Sequence, residues 1–284
     1  MDIIGFGGAG CNVAKTFKDY SQYKIHYIDV GLRGEDNYSL LRANTMEEAE
    51  TNVPKFSKLV KKLKGEVVFI CAGAGISSGS ILGTLEQFKH LPVTVIYIKP
   101  DYDLLGEKEK QRERVVHGIL QQFARTGLLK RMYLFDNTKI AEMLGGLSIV
   151  EYHPKINQMI SNSFHMLNYF KNTDSIMTNV SDPQEINRIS TVGVYNFEEE
   201  AEKYFYDIAN PREKHFYFAF NEETLNKEKN LLSKISEQIK SAGQPEFTAV
   251  SYDITATTYE ENFAYIEAHT NFIQGEKVVD KSSE

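Results

Sequence analysis

A run near the start of the chain, Gly5-Phe6-Gly7-Gly8-Ala9-Gly10-Cys11-Asn12, has the residue types and spacing of a phosphate grip. It follows a short apolar strand, Asp2-Ile3-Ile4, and leads straight into a helical pattern. Glycines there let the backbone turn sharply and come close to a ligand. The helix that follows aims unsatisfied N–H groups and its positive dipole end into the turn. The chemistry is the holding of a nucleotide's phosphates, with Gly7, Gly8, Ala9 and Gly10 as the contacts. The box alone does not choose the nucleotide. Gly5-x-Gly7-x-x-Gly10 also fits the dinucleotide fingerprint, and Asp29 stands about 20 residues on, where an acid would bind a ribose. An NAD(P)-dependent oxidoreductase is therefore an open alternative, and a tight turn without a ligand is the plain one.

A second box, Ala72-Gly73-Ala74-Gly75-Ile76-Ser77-Ser78-Gly79-Ser80, ends a buried strand and opens a helix. Ser77, Ser78 and Ser80 offer hydroxyl donors, and their backbone N–H groups offer a nest for a phosphate, with Gly75 and Gly79 as contacts beside them. Two such loops on different strands suit a nucleoside triphosphate gripped from several sides. No Gly-x-x-x-x-Gly-Lys-Ser/Thr occurs, so the P-loop enzymes are excluded. Asn12 and Asn157 are candidates to read a base, because an amide both donates and accepts, as guanine's edge requires. Asn157 reads equally as a polar residue facing a crevice. Tyr152 and His153, placed just before a long helix, could stack on the base; for His153 a plain surface position is the simpler assignment. Further on, Ser181-Asp182-Pro183-Gln184-Glu185 reads as a helix start, with Asp as N-cap, Pro first and Glu third. Carboxylates three apart on a first turn project the same way, so Asp182 and Glu185 can also act together on one ligand.

The elements that must position these residues alternate. Strands are expected at Lys24 to Val30, Glu66 to Ala72, Val93 to Lys99 and Arg131 to Asp136, with amphipathic helices between. Strands buried on both faces argue an α/β, doubly wound parallel sheet, with ligands off the carboxyl ends of its strands. Both boxes and Asp136-Asn137 lie at such ends. Residues 1–152 make this nucleotide-binding domain. Residues 153–173 form a central helix apolar on more than one face, hence buried between layers. Residues 174–273 form a smaller α/β domain with a mixed sheet. Helices are expected there at Asp182 to Ile189, Glu198 to Ile208 and Leu225 to Ser241. Strands are expected at Val192 to Phe197 and His215 to Phe220, with Phe247 to Thr255 and Phe263 to Phe272 close enough to pair. Residues 274–284 read as a short disordered tail.

The totals bound the function. A chain of 284 residues has room for two cores, and 42% hydrophobic with 25% charged residues is an ordinary globular composition. A net charge of -7 argues against direct nucleic-acid binding, which needs a basic surface. No apolar run approaches the ~20 residues of a membrane span, and no signal peptide is visible. Cys11 and Cys71 have neither metal-site nor disulfide-framework spacing and read as small packing residues in a reducing, cytoplasmic compartment. No residue set reads as a protein metal site.

With these motifs in order, the chain resembles the tubulin/FtsZ superfamily. Residues 5–12 look like the first phosphate loop of FtsZ, and Gly75-x-x-Ser78-Gly79-Ser80-x-x-Gly83-Thr84-Leu85 looks like the tubulin signature box. Lys99-Pro100 resembles the family's next loop. Asp136-Asn137-Thr138-Lys139 is similar to its Pro-Asn-Asp-Lys segment, which implies that Asn137 contacts the sugar. Asn179 to Glu185 is similar to its catalytic loop, which implies that Asp182 and Glu185 polarise water in a neighbouring subunit's site. The resemblance implies GTP/GDP with Mg²⁺, hydrolysis of GTP coupled to assembly, and the chain itself as head-to-tail partner. The departures are Ile76 and Ser77 in place of two glycines, Leu105 and Glu109 in place of ribose-holding Glu and Arg, and a short stretch from Asp29 to Glu66. FtsZ's linker and terminal partner-binding peptide have no counterpart. These features resemble the phage- and plasmid-type proteins of the PhuZ and TubZ groups. They imply a filament that positions or segregates DNA in a host cytoplasm, through an adaptor unknown. A non-polymerising nucleotide-binding relative is the third alternative.

Overall fold

The chain opens with β1 (Asp2–Phe6), an apolar strand buried from end to end, and turns at Gly7 (φ +66°) into α1 (Gly7–Thr16). In this computed structural model residues 1–197, 199–242 and 248–275 are described. There follow β2 (Lys24–Val30), β3 (Asn37–Leu40), α2 (Met46–Thr51), α3 (Ser57–Lys62) and β4 (Val67–Cys71). A 3-10 helix at Ile76–Ser80 carries the second box into α4 (Ile81–Glu86). Then come β5 (Val93–Lys99), α5 (Glu107–Arg125), β6 (Arg131–Asp136), α6 (Asn137–Met143) and the long α7 (Tyr152–Phe170). The remainder comprises β7 (Met177–Thr178), β8 (Ile189–Asn196), β9 (Ala201–Tyr204), β10 (Glu213–Asn221), α8 (Glu222–Lys227), α9 (Leu231–Ala242), β11 (Ala249–Thr257) and β12 (Phe263–Thr270).

The first six strands pair in parallel in the order β3-β2-β1-β4-β5-β6. This is the expected doubly wound sheet. It does not stop there. Met132, Tyr133 and Leu134 of β6 pair in parallel with Ile189, Ser190 and Thr191 of β8, so the sheet runs on through β12, β10, β11 and β7. One face is covered by α1 and α7, where Val13, Phe17, Ile160, Phe164 and Leu167 share a core with Ile70, Tyr133 and Tyr217. The expectation that the central helix is buried between layers is corrected: its opposite face, with Lys155 and Gln158, is exposed. The other face of the first half packs Leu59, Leu85 and Leu120 from α3, α4 and α5. In the second half Ile235 of α9 covers an aromatic row from β10. Among the described residues no helix is long and apolar enough to cross a membrane.

Five expectations for the second half are corrected. No helix forms over Asp182 to Ile189; residues 179–188 are irregular. The expected helix from Glu198 is instead β9, antiparallel to β8; Glu198 itself lies outside the described residues. There Phe205 and Tyr206 enter the two different cores on either face of the sheet, as consecutive residues of an extended chain do and those of a helix do not. Leu225 to Ser241 divides into α8 and α9, the first capped by Asn221 accepting from Glu223 N at 2.8 Å. The last two strands do not pair, because β10 lies between them, parallel to β11 and antiparallel to β12. Gln274 is no loose tail. It exchanges two hydrogen bonds with the buried Gln121 side chain of α5, at 2.6 and 2.9 Å. Residues 276–284 of the expected tail, and Phe247, lie outside the described residues.

Candidate functional site

The sheet changes direction of winding between β1 and β4. From β1 the chain moves outward to β2 and β3; from β4 it moves the other way to β5 and β6. Open α/β sheets bind ligands at such a switch, off the strand carboxyl ends. The two glycine boxes follow these two strands. They meet: Ser77 Oγ lies 3.3 Å from where a Cβ on Gly7 would stand and 3.7 Å from that of Gly75. Helix α1 has no side-chain cap and no acid in its first turn, and Gly8 and Ala9 are exposed. Its first N–H groups are thus open to an anion. The other small residues serve packing. A Cβ on Gly10 would stand 2.1 Å from Ile70 O, so Gly10 seats α1 on β4. A Cβ on Gly79 would stand 2.2 Å from Met46 O, so Gly79 seats the second box against α2. Ser78 and Ser80 are buried, and their hydroxyls donate inward, to Gly73 O and Gly75 O and to Ala49 O. Of the expected hydroxyl donors only Ser77 lies between the boxes. Cys11 donates to Gly5 O at 3.2 Å, and burial pushes its thiol up to about 12, which fits a packing role.

Along the same edge, Asp136 caps α6 by accepting from Thr138 N at 2.9 Å and pairs with Lys99 Nζ at 2.9 Å. Asn137 is buried with its carboxamide oxygen unpaired among the described residues. Asn157 is half-buried on the second turn of α7, and Asn12 is exposed on α1, which packs beside α7. Tyr152 and His153 belong to the first turn of α7 and do not precede it. Tyr152 donates to Asp101 Oδ2 at 3.2 Å, and His153 lies edge-on to it, exposed. Glu109 accepts from Gly106 N at 2.8 Å, so it caps α5 where the family pattern has a ribose contact. Asp29 stands near the end of β2, accepting from Val30 N at 2.8 Å.

Asp182 and Glu185 lie at the opposite edge. Their segment leads into β8, which starts beside the first residues of β6. Glu185 stands on the corner of a turn closed by Asn187 N donating to Gln184 O at 2.9 Å, with its side chain 95% exposed. Asp182 is also exposed and caps no helix. Both border a cavity of about 480 Å³ with Phe164, Lys171 and Arg188. Strands of this length span ~20 Å. The carboxylates of this edge therefore cannot serve the phosphate edge of their own chain.

Behind that loop lies a buried polar cluster that the sequence patterning did not reveal. Glu267 accepts from Lys171 Nζ at 2.7 Å, from Tyr217 at 2.8 Å and from Tyr133. Burial raises its pKa, but Lys171, His269 and these bonds outweigh burial and hold the carboxyl well below its ordinary range. His215, Glu267 and His269 come within 4.8 Å of one another, the spacing of a metal centre. The chemistry does not suit a cation. Arg131 can only donate, and it lies 2.9 Å from His269 Nδ1, so Nδ1 accepts and Nε2 carries the hydrogen. With Lys171 already on Glu267, the cluster is an internally neutralised lock. Its one sequence signal is Glu267-x-His269 inside the otherwise largely apolar β12.

No protein-family model matches the sequence, and neither does the sequence of any curated protein. Solved structures do match. An empty FtsZ dimer of M. jannaschii superposes with TM-score 0.69 at 13% identity, covering 95% of this chain and 87% of that one. A GTPγS-form protofilament of TubZ from Bacillus thuringiensis serovar israelensis gives 0.71 at 15%, covering 95% and 87%. CetZ2 from Haloferax volcanii, a GTPγS-bound protofilament, gives 0.69 at 14%, covering 98% and 94%. The chain has the tubulin/FtsZ fold. At these identities the likeness is one of fold, so the residues above carry the chemistry.

Proposed function

We propose that this chain is a GTP-binding protein that assembles head to tail and hydrolyses GTP where two subunits meet. One observation carries it: a phosphate-type edge and an exposed carboxylate edge occupy opposite ends of one sheet. Each end needs the other from a second copy. A contact of this heterologous kind does not close on itself, so it extends into a filament. Open N–H groups of α1 and the Ser77 hydroxyl would hold the phosphates. Asn137 would meet the sugar, and Asn157 and Asn12 would meet the base. Neither glycine box contains a carboxylate, so Mg²⁺ would be held by phosphate oxygens and water. Bound GTP supplies a phosphoryl group whose transfer needs positioning and charge stabilisation. Asp182 and Glu185, presented by the next subunit, would orient and polarise the attacking water. The sequence resemblance to the phage- and plasmid-type groups supports a cytoplasmic filament that positions or segregates DNA.

The strand order β3-β2-β1-β4-β5-β6 with Asp29 at the end of β2 also favours a dinucleotide, as in NAD-dependent enzymes. Ultracentrifugation of the purified protein with GTP, GDP, NAD or nothing separates the alternatives. Sedimentation with GTP alone is the expected result. Binding of GTP without sedimentation would identify a non-polymerising relative, and tighter binding of NAD than of GTP would end the GTPase assignment.

A further inference from the structure

Glu213 opens β10 at the carboxylate edge and is buried although ionisable. Its Oε1 accepts from the Gln184 backbone N–H at 3.0 Å and from the Asn187 side-chain amide at 2.5 Å. Arg131, the first residue of β6, donates to the Asn187 carbonyl at 3.0 Å. Gln184 and Asn187 are the first and last residues of the turn that carries Glu185, and Gln184 lies two residues beyond Asp182. A buried carboxylate is retained only where its hydrogen bonds offset lost hydration. Here both of these bonds go to one surface turn. That turn has no helix or strand of its own to fix it. Unanchored, it would spread over many conformations, few of which place a carboxylate at a neighbour's phosphate.

From these contacts we infer that Glu213 is a positioning residue that holds the Asp182–Glu185 segment ready to meet the next subunit. The inference rests on hydrolysis across the head-to-tail contact. Glu213 acts through the turn and touches no nucleotide: its own phosphate edge lies at the other end of the sheet, and its burial behind the turn keeps it from the neighbour's. Arg131 supports it by fixing the far end of the same turn, while its other bonds, to Ser190 Oγ at 3.1 Å and His269 Nδ1 at 2.9 Å, tie the turn to the lock behind it.

Two variants test this. Glu213→Ala removes the accepting oxygen; Glu213→Gln keeps it. GTP turnover per sedimented subunit should fall at least ten-fold in Glu213→Ala and less than three-fold in Glu213→Gln. GTP affinity should stay within two-fold in both. Adding Glu213→Ala to Asp182→Ala should slow turnover no further, because the anchor acts through the loop. A merely structural role would weaken GTP binding along with turnover, and the double variant would lose more; either result overturns the assignment. Hydrogen exchange of residues 179–188 gives a readout independent of activity: protection should drop there in Glu213→Ala and stay unchanged around the glycine boxes. Turnover of Glu213→Ala within two-fold of wild type, or unchanged exchange in 179–188 in that variant, also overturns it. A wild-type protein that binds GTP and sediments but releases no phosphate overturns the hydrolysis reading instead. The exchange measurement then still decides whether Glu213 holds the turn.

Discussion

At the scale of single residues, the glycines of the first box divide into two kinds. Gly8 has nothing within 4 Å of the position a Cβ would take, and it is exposed on the first turn of α1. Gly10 has a carbonyl oxygen at 2.1 Å. The two should respond oppositely to a side chain. Gly10→Ala must push α1 off β4 and should cost about 3 kcal/mol, the upper range of overpacking. Gly8→Val should leave stability within ~0.5 kcal/mol, as surface changes do. It should still lower GTP affinity at least ten-fold by standing over the open N–H groups. Equilibrium unfolding beside a nucleotide titration checks both. A Gly8→Val protein that binds GTP like wild type would show that this turn grips no phosphate. Gly79 belongs with Gly10, so a defect at Gly79 would report on α2 and not on the ligand.

At the scale of elements, the loop of residues 179–188 separates capping from chemistry. Asp182 caps nothing, so Asp182→Ala should not lower the melting temperature, whereas loss of a real N-cap would cost ~1 kcal/mol. Its GTP binding and assembly should also survive, while hydrolysis falls by orders of magnitude. Complementation makes the division of labour visible. Asp182→Ala protein keeps an intact phosphate edge, and Gly8→Val protein keeps an intact carboxylate edge. Each should be nearly inactive alone, and an equal mixture should recover a measurable fraction of wild-type turnover. A mixture that co-sediments yet stays silent would show that the carboxylate does not act across subunits. The long α7 joins the two edges, starting where Tyr152 meets Asp101 and ending where Lys171 meets Glu267. Nineteen residues of helix make it ~28 Å long, enough to span the sheet.

At the scale of the whole molecule, the continuous sheet buries histidines in both halves, and this sets a pH dependence. Burial holds His215 and His269 below the ordinary histidine range, and burial followed by Lys99 lowers His117 to about 4. The folded protein therefore refuses protons that the unfolded chain accepts. This stabilisation is complete above the unfolded value of ~6.5 and is lost as pH falls toward the folded values. Each group contributes a slope of up to ~1.4 kcal/mol per pH unit in that window. The denaturation midpoint should fall steadily between about pH 6.5 and 4.5. His117 stacks on Tyr97 at 4.9 Å, so His117→Phe should keep the packing and flatten the slope by about one proton. Stability that is flat across this range would contradict the buried neutral state.

The sequence by itself determined what short-range physics governs. Strands β1, β4 and β5 are apolar runs, α7 repeats apolar residues at helical spacing through Ile156, Ile160, Phe164 and Leu167, and the glycine boxes sit at strand ends, where Gly7 makes the turn and Gly10 lets α1 approach β4. Other features depended on partners far along the chain. The Ser181–Glu185 signal is a genuine local preference for a helix start, worth ~1 kcal/mol. Two hydrogen bonds to the buried Glu213 carboxylate, from residues 29 and 26 positions away, contribute roughly 1.5–3 kcal/mol each and override it. Ser78 and Ser80 look like open donors until α2 and the box's own turn take their hydroxyls. Gln274 looks like a tail until Gln121, 153 positions earlier, receives it. The order of β10, β11 and β12 likewise depends on distant partners: β10, buried from Glu213 to Phe220, has its backbone paired on both sides, by β11 and by β12. Local sequence sets which elements form, but a preference of about 1 kcal/mol gives way wherever a distant buried group needs the same backbone to complete its hydrogen bonds.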